Sequence, residues 1–128
     1  MALTATRGAT SEYLAAAYFS SNGYEVFWPN GCSSAADFVA DRSGVSFRVQ
    51  VKTASWVEYR GVSYLRANLR SSRSSYKPGD YDLLAAVARD GRIWVIPFED
   101  LPKKSTLYLE RSGGRDKDYG WGGYLVVP

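Results

Sequence analysis

The sequence predicts an α/β protein in which a central mixed β-sheet packs against one prominent N-terminal helix and continues into a β-rich C-terminal half. An alanine-rich stretch near the N-terminus favours the helix. Residues 45–52 and 63–70 alternate apolar and polar side chains, which is the period of a half-buried strand. The apolar run at 81–88 suits a helix or a buried strand, but the Asp-Gly turn and the second run at 93–96 favour a hairpin of two central strands.

Length and composition bound the class of protein. A chain of 128 residues suggests a single domain over residues 1–128, large enough to bury about two-thirds of its unfolded surface without a disulfide or a structural metal. The absence of histidine excludes His-based catalytic triads and His-rich zinc sites. The single Cys32 cannot form an intramolecular disulfide, and no apolar run approaches the roughly 20 residues of a membrane span. We therefore expect a cytoplasmic protein with no membrane partner.

The N-terminal helix is expected to begin at one of three capping residues, Thr6, Thr10 or Ser11. It should end near residue 21 or 22, because Gly23 suits the position just after a helix. Glu12 then lies in or near the first turn. Its ordinary role there would be to complement the helix dipole.

The remaining elements follow from turn residues and alternation. Residues 24–28 predict a strand, with a turn at 29–31. The strand that begins at residue 45 is expected to end between 53 and 56, before a turn at 58–61. Further along, the sequence predicts one helical turn within 98–104, a strand at 106–110, a charged loop at 112–118 and a flexible aromatic segment at 120–124, suited to a DNA contact or a subunit contact.

The strand at 45–52 carries the residues with the clearest chemical potential. Gln50 and Lys52 must project from one face, about 6–7 Å apart. The turn Asp41-Arg42-Ser43-Gly44 places the preceding strand beside it and brings Asp37 into the same small volume. Oxygen ligands suit a hard cation, and water attack on a phosphodiester uses such a cation together with a nearby positive group. Taken singly, these side chains are ordinary surface groups or, for Asp37, a local hydrogen-bond acceptor.

These residues form a pattern, Asp…Gln-x-Lys, that resembles the PD-(D/E)xK nuclease superfamily. The chain is similar in particular to the Gln-x-Lys branch found among group I intron-encoded (homing) endonucleases. The resemblance covers about residues 7 to 100. It rests on Gly8, Glu12, Gly23-Tyr24-Glu25-Val26, Pro29, Asp37 and Val49-Gln50-Val51-Lys52-Thr53, and less specifically on Asp82-Leu83-Leu84-Ala85 and Trp94-Val95-Ile96-Pro97. Ala36 replaces the usual proline, and Gln50 replaces the usual acidic residue.

The resemblance implies a restriction-endonuclease-like core and Mg²⁺-dependent hydrolysis of DNA, with Mn²⁺ able to substitute. It implies that Glu12, Asp37, Gln50 and the backbone carbonyl of Val51 hold the metal. Lys52 would orient the attacking water or offset charge that develops on the phosphate. The resemblance also implies a bacterial, phage or archaeal host cell, with double-stranded or branched DNA as the expected partner. Because one small chain offers one active site, cleavage of both strands implies a homo-oligomer, a dimer or tetramer.

A basic segment follows the motif. Between residues 60 and 77 there are five basic residues and no acidic one, which suits phosphate contacts as well as a solvated strand face. The expected DNA-binding residues are Arg48, Arg66, Arg70, Arg73 and Lys77.

Three other functions are compatible with this sequence. One is a structure-specific nuclease similar to a Holliday-junction resolvase. Another is a DNA-binding module with a decayed site, which the neutral Gln50 favours and the intact Asp37 and Lys52 disfavour. The third is a protein-interaction domain with Trp121 and Tyr124 in its interface. Asp82 is expected to be structural, with an outer position at the metal site as the alternative.

Overall fold

The computed structural model describes residues 3–29, 35–70, 76–112 and 119–128, with side chains described from Gly8 onward in the first range. One helix and eight strands make up its regular structure: α1 (Leu3–Ser21), β1 (Glu25–Phe27), β2 (Phe38–Arg42), β3 (Val45–Tyr59), β4 (Val62–Asn68), β5 (Leu83–Ala88), β6 (Ile93–Pro97), β7 (Thr106–Arg111) and β8 (Leu125–Val127). Short 3₁₀ turns cover Phe98–Asp100 and Gly122–Tyr124. No helix within these described residues is both long and apolar enough to span a membrane.

The strands form one mixed sheet, as predicted. Its main order is β1-β2-β3-β5-β6-β8, and β4 joins β3 to β7. β3 and β5 run parallel, whereas the other neighbouring strands are antiparallel. β3 is 15 residues long, so its first part pairs with β2 and its last part with β4. The long strand therefore connects the two halves of the sheet.

Each face of the sheet has its own buried cluster. Helix α1 covers one face, where Phe19 packs over Phe38 and Val49 in a cluster that also contains Val51. Period-two alternation turns Ala54 of β3 to the opposite face, into a cluster that includes Trp94. The apolar half of each alternating pattern is thus buried, as the sequence predicts.

The predicted start of the helix is wrong. α1 begins at Leu3, so Thr6, Thr10 and Ser11 lie inside it and do not cap it, and Glu12 lies in its third turn. Ser11 is buried, and its Oγ lies 2.7 Å from Oγ1 of Thr53 on β3. A hydroxyl with a partner on another element is tolerated inside a helix, which explains the misplaced boundary.

The two turns that flank β3 are tighter than predicted. Ser43 and Gly44 both have positive φ, 54° and 81°, as do Arg60 and Gly61, 51° and 78°. Positive φ at both central residues is typical of a two-residue hairpin whose twist matches the strands. β3 therefore continues to Tyr59, beyond its predicted end.

The C-terminal half contains one strand that sequence reasoning missed. The run at 81–88 is a strand, β5, and the turn within 98–104 and the strand near 106–110 are present. β8 was not predicted because it follows the glycine-rich segment expected to be flexible. Tyr124 in that segment donates a hydrogen bond to Asp100 at 2.7 Å and packs with Trp121 against the core. Most of the predicted loop at 112–118 lies outside the described residues.

Candidate active site

The candidate site lies at a gap along one edge of β3. β2 pairs with β3 only as far as Val49, and β4 begins pairing at Ser55. The other edge of β3 stays paired with β5 through residues 49–54. Backbone groups of alternate residues point to opposite edges of a strand, so the N–H and C=O of Val51 both face the gap.

Asp37, just before β2, extends across this gap. Its N–H donates to the carbonyl of Val49 at 2.8 Å. Its Oδ2 accepts hydrogen bonds from the N–H of Val51 at 2.7 Å and from Nε2 of Gln50 at 3.0 Å. Gln50 is buried, and its Nε2 also lies 3.3 Å from the carbonyl oxygen of Val51. The predicted hairpin therefore brings a carboxylate, a carboxamide and a backbone carbonyl to one point.

Glu12 approaches the same point from helix α1. Burial raises the pKa of Glu12, and the negative charge of Asp37 raises it further. The hydrogen bond between Ser11 and Thr53 ties this part of the helix to β3, beside the gap. The structure thus places Glu12 within electrostatic range of Asp37, although the helix starts earlier than predicted.

Lys52 lies on the face opposite the helix and is half-buried. Its Nζ is 5.3 Å from the centre of the Tyr76 ring. Burial raises the pKa of Asp37, while the hydrogen bond from Val51 and the positive charge of Lys52 oppose this rise. Lys52 is therefore close enough to act electrostatically at the gap, and Tyr76 supports it.

The groups that meet at the gap offer mainly oxygen atoms to a ligand. No cluster of three or more His, Cys, Asp or Glu side chains is present in the described part of the chain. A cation held by Glu12 and Asp37 would therefore complete its ligand set with the Gln50 amide and the Val51 carbonyl. All of these are oxygen donors of the kind that a hard divalent cation prefers.

The predicted DNA-binding residues lie in different environments. Arg66 and Arg70 are exposed, on or just after β4. Arg48 instead pairs with Asp82, with Nη2 3.4 Å from Oδ1, and its backbone N–H donates to Oδ2 at 2.7 Å. Asp82 is thus an internal partner of Arg48, which supports its structural role. Arg73 lies outside the described residues.

The last basic residue of the prediction, Lys77, is exposed, and its backbone N–H bonds to Asp80 at 2.7 Å. Sequence reasoning overlooked two lysines, Lys103 and Lys104, which line a groove with Arg70 and Tyr76. The adjacent pair of lysines was the available signal for this groove, but no periodic pattern links it to the motif.

Comparison with known proteins decides the family. A family model described as PD-(D/E)XK endonuclease matches residues 3–117. The chain belongs to this family. Protein 5.3 of Escherichia phage T7 is 35% identical over 111 residues, which cover 86% of this chain and 91% of that protein. The solved structure of a bacterial homing endonuclease, I-Ssp6803I, matches with a TM-score of 0.83 over 97% of this chain and 89% of that one, at 21% identity.

These findings confirm the resemblance and the fold seen in the sequence. By its family, the protein is a nuclease. Its mixed sheet with an N-terminal helix has the restriction-endonuclease-like fold. Members of this family generally use divalent metal ions.

Proposed function

We propose that this protein is a metal-dependent DNA endonuclease that hydrolyses phosphodiester bonds at the gap in β3. The observation that carries the proposal is the convergence of Asp37, Gln50 and the Val51 backbone, with hydrogen bonds of 2.7 and 3.0 Å. The family membership supports the reaction class.

The residues at the gap fit a hard divalent cation. Glu12, Asp37, the Gln50 amide oxygen and the Val51 carbonyl would hold Mg²⁺, or Mn²⁺ in its place. When bound, such a cation polarises the phosphate and lowers the pKa of a bound water. Glu12 and Asp37 repel each other in a partly buried site, and a cation between them would relieve that repulsion. Rotating the Gln50 amide would present its oxygen to the cation in place of its nitrogen.

Lys52 supplies the positive group that the reaction needs. Its ammonium carries three N–H donors, which can hold the attacking water or the non-bridging phosphate oxygens. The Tyr76 ring restricts the position of the ammonium group, so the Lys52 side chain loses less conformational entropy when substrate binds. The sequence contains no histidine, so an imidazole cannot serve as the general base.

The direct test is incubation with supercoiled plasmid, with and without Mg²⁺. We expect nicked or linear product with Mg²⁺ or Mn²⁺, and intact plasmid in EDTA. Equal cleavage in EDTA would contradict metal dependence. Binding without cleavage in either metal would support the alternative of a DNA-binding module with a decayed site.

The type of DNA cut remains a choice between two proposals. Similarity in fold to a homing endonuclease favours double-strand cleavage of linear duplex by a homodimer or homotetramer, since each chain offers one site. A structure-specific nuclease would instead prefer branched DNA. Comparing cleavage of a linear duplex and a four-way junction, together with the mass in solution, distinguishes these two functions.

A further inference from the structure

The second half of the sheet has an open face that the site does not use. Residues 55–59 of β3, together with β4 and β7, form a three-stranded ribbon. Leu65, Leu107 and Leu109 fill one side of this ribbon and are buried. The opposite side, which continues the face that carries α1, holds cross-strand pairs such as Val57 with Tyr64 and Arg66 with Tyr108.

Aromatic rings dominate the far part of this open face. The rings of Tyr64 and Tyr108 lie 5.8 Å apart in an edge contact, and those of Tyr108 and Tyr119 lie 6.0 Å apart. Tyr108 and Tyr119 are 40% and 45% exposed. With Tyr59, the three rings line an open groove of about 560 Å³. A contiguous exposed patch of aromatic rings is typical of a binding surface.

A polar groove connects these rings to the candidate active site. It contains Thr53, Arg66, Asn68 and Arg70, and it shares Arg66 and Val57 with the aromatic groove. Thr53 follows Lys52 in the chain and bonds to Ser11 beside Glu12. Glu58 is the one acidic side chain among the described residues that line the two grooves. The face therefore offers arginines near the site and stacking surfaces farther away.

We propose that this aromatic–arginine face binds unpaired nucleobases, so that DNA with a single-stranded segment beside the cleaved phosphate is the preferred substrate. The inference rests on the proposed function and names its substrate class. Arginines complement phosphates, while rings that accept bases without reading their identity provide a platform for single strands. In an intact duplex the faces of the bases are covered by their neighbours, so these rings gain little from paired DNA.

A second copy of the chain is the main rival occupant of this face. The charge distribution favours nucleic acid, because the face carries two exposed arginines, Arg66 and Arg70, and one acidic side chain, Glu58, so a second copy would bring mainly like charge to it. The polar groove also reaches Thr53, which bonds to Ser11 beside Glu12, so a nucleic-acid strand that follows the groove would approach the gap.

The test measures binding without cleavage. Fluorescein-labelled single strands of about 12 nucleotides, within the usual site size, are titrated in EDTA against wild type, Tyr108→Ala and Tyr108→Phe. The same strand with abasic sugars, and a blunt duplex, serve as probes that lack accessible bases. Tyr119→Ala is an independent variant of the groove, and Tyr13→Ala removes a 69% exposed tyrosine that lies outside both grooves.

We expect Tyr108→Ala to weaken binding of the normal single strand by roughly 5- to 150-fold, which is the range for the loss of one stacked base. Tyr119→Ala should also weaken it, whereas Tyr108→Phe and Tyr13→Ala should not. Abasic strand and blunt duplex should bind the alanine variants almost as they bind wild type.

Equal losses on normal and abasic strands, or unchanged binding in both alanine variants, would overturn the inference. A decrease in oligomer mass with unchanged DNA affinity would assign the face to a second copy and overturn it as well. If no metal supports cleavage but the base-dependent loss is observed, the proposed nuclease function fails while the base-binding site stands.

Discussion

The two halves of β3 lie in opposite environments. Residues near Val49 and Val51 are covered by α1 on one face and by the second core on the other. Beyond Ser55 the side chains on both faces of the strand are exposed, including Trp56, Val57 and Tyr59. One strand therefore supplies both a rigid, enclosed region and an open surface.

This difference matches two chemical tasks. At the gap, Asp37 and Gln50 hold each other in a fixed geometry, and no buried side-chain N or O atom in the described chain lacks a hydrogen-bond partner. Such preorganisation is what electrostatic catalysis requires. On the open half, Tyr108 and Tyr119 contact each other and still expose ring surface to a partner. We infer that the enclosed half determines the rate of cleavage and the open half determines what is bound.

The largest effect is expected at the enclosed half. Asp37→Ala should abolish plasmid cleavage while DNA binding stays largely intact, because removing a negative charge beside phosphate does not weaken attraction. Asp37→Asn is the matched control, since its side-chain oxygen can still accept the hydrogen bond from Val51. Both variants should be inactive, and wild-type-like nicking by either one would reject Asp37 as a metal ligand.

Thermal melting provides a check that these variants are folded. Burial raises the pKa of Asp37, so the protonated carboxyl group stabilises the folded state more than the ionised carboxylate does. This stabilising contribution is present below the ordinary pKa of aspartate and is lost as pH rises through the raised value. Asp37→Asn should therefore melt at or above the wild-type temperature at neutral pH. A large decrease would instead indicate that the loss of activity reflects misfolding.

A smaller effect is expected at Lys52. Lys52→Ala should lower turnover by at least roughly 10²-fold, as for the loss of one electrostatic group at the transition state. Lys52→Met keeps most of the apolar stem over Tyr76 and removes the charge, so it separates packing from catalysis. Both variants should show similar losses in single-turnover cleavage with little change in melting temperature. Recovery of activity in Lys52→Met would assign the residue a packing role.

The convergence of Asp37 with Gln50 and Lys52 was predictable because the elements that carry them are adjacent in the chain. A hairpin turn with glycine, two alternating strands and the parity of Gln50 and Lys52 were sufficient to bring Asp37 to them. The long-range contribution of Glu12 came only from the family resemblance, because nothing in a helix pattern shows which strand the helix crosses. The predicted position of Glu12 in the first turn of the helix was wrong, because the Ser11–Thr53 hydrogen bond cannot be seen from local sequence.

The division of β3 into two halves was not predictable. The alternation ends at Lys52, because Thr53 is polar at a position where an apolar residue would continue the pattern. Sequence reasoning therefore ended the strand near the point where its pairing partner changes from β2 to β4. The gap exists because of that change. Similarly, Arg48 and Arg66 both occupy polar positions of an alternating strand pattern. Arg48 pairs with Asp82, which lies 34 residues away, and a local pattern does not show such a contact.

The open half should contribute through its cations, with the smallest effect of the three. Replacing Arg66 and Arg70 together by alanine should weaken binding to all sequences alike. Each phosphate contact on duplex DNA contributes about 0.9 to the slope of log affinity against log salt, so that slope should flatten by up to about two units.

Arg42→Ala is the matched control for this effect, because Arg42 lies at the distant hairpin and donates to the carbonyl of Asn22 at 3.0 Å. Salt titrations with a target duplex and a random duplex distinguish phosphate contact from base reading, since losing a base contact would weaken one sequence and leave the slope nearly unchanged. An unaltered slope in the double variant would indicate that DNA does not contact the open face. Lys103 and Lys104, on the other side of Arg70, would then be the next candidates for phosphate contact.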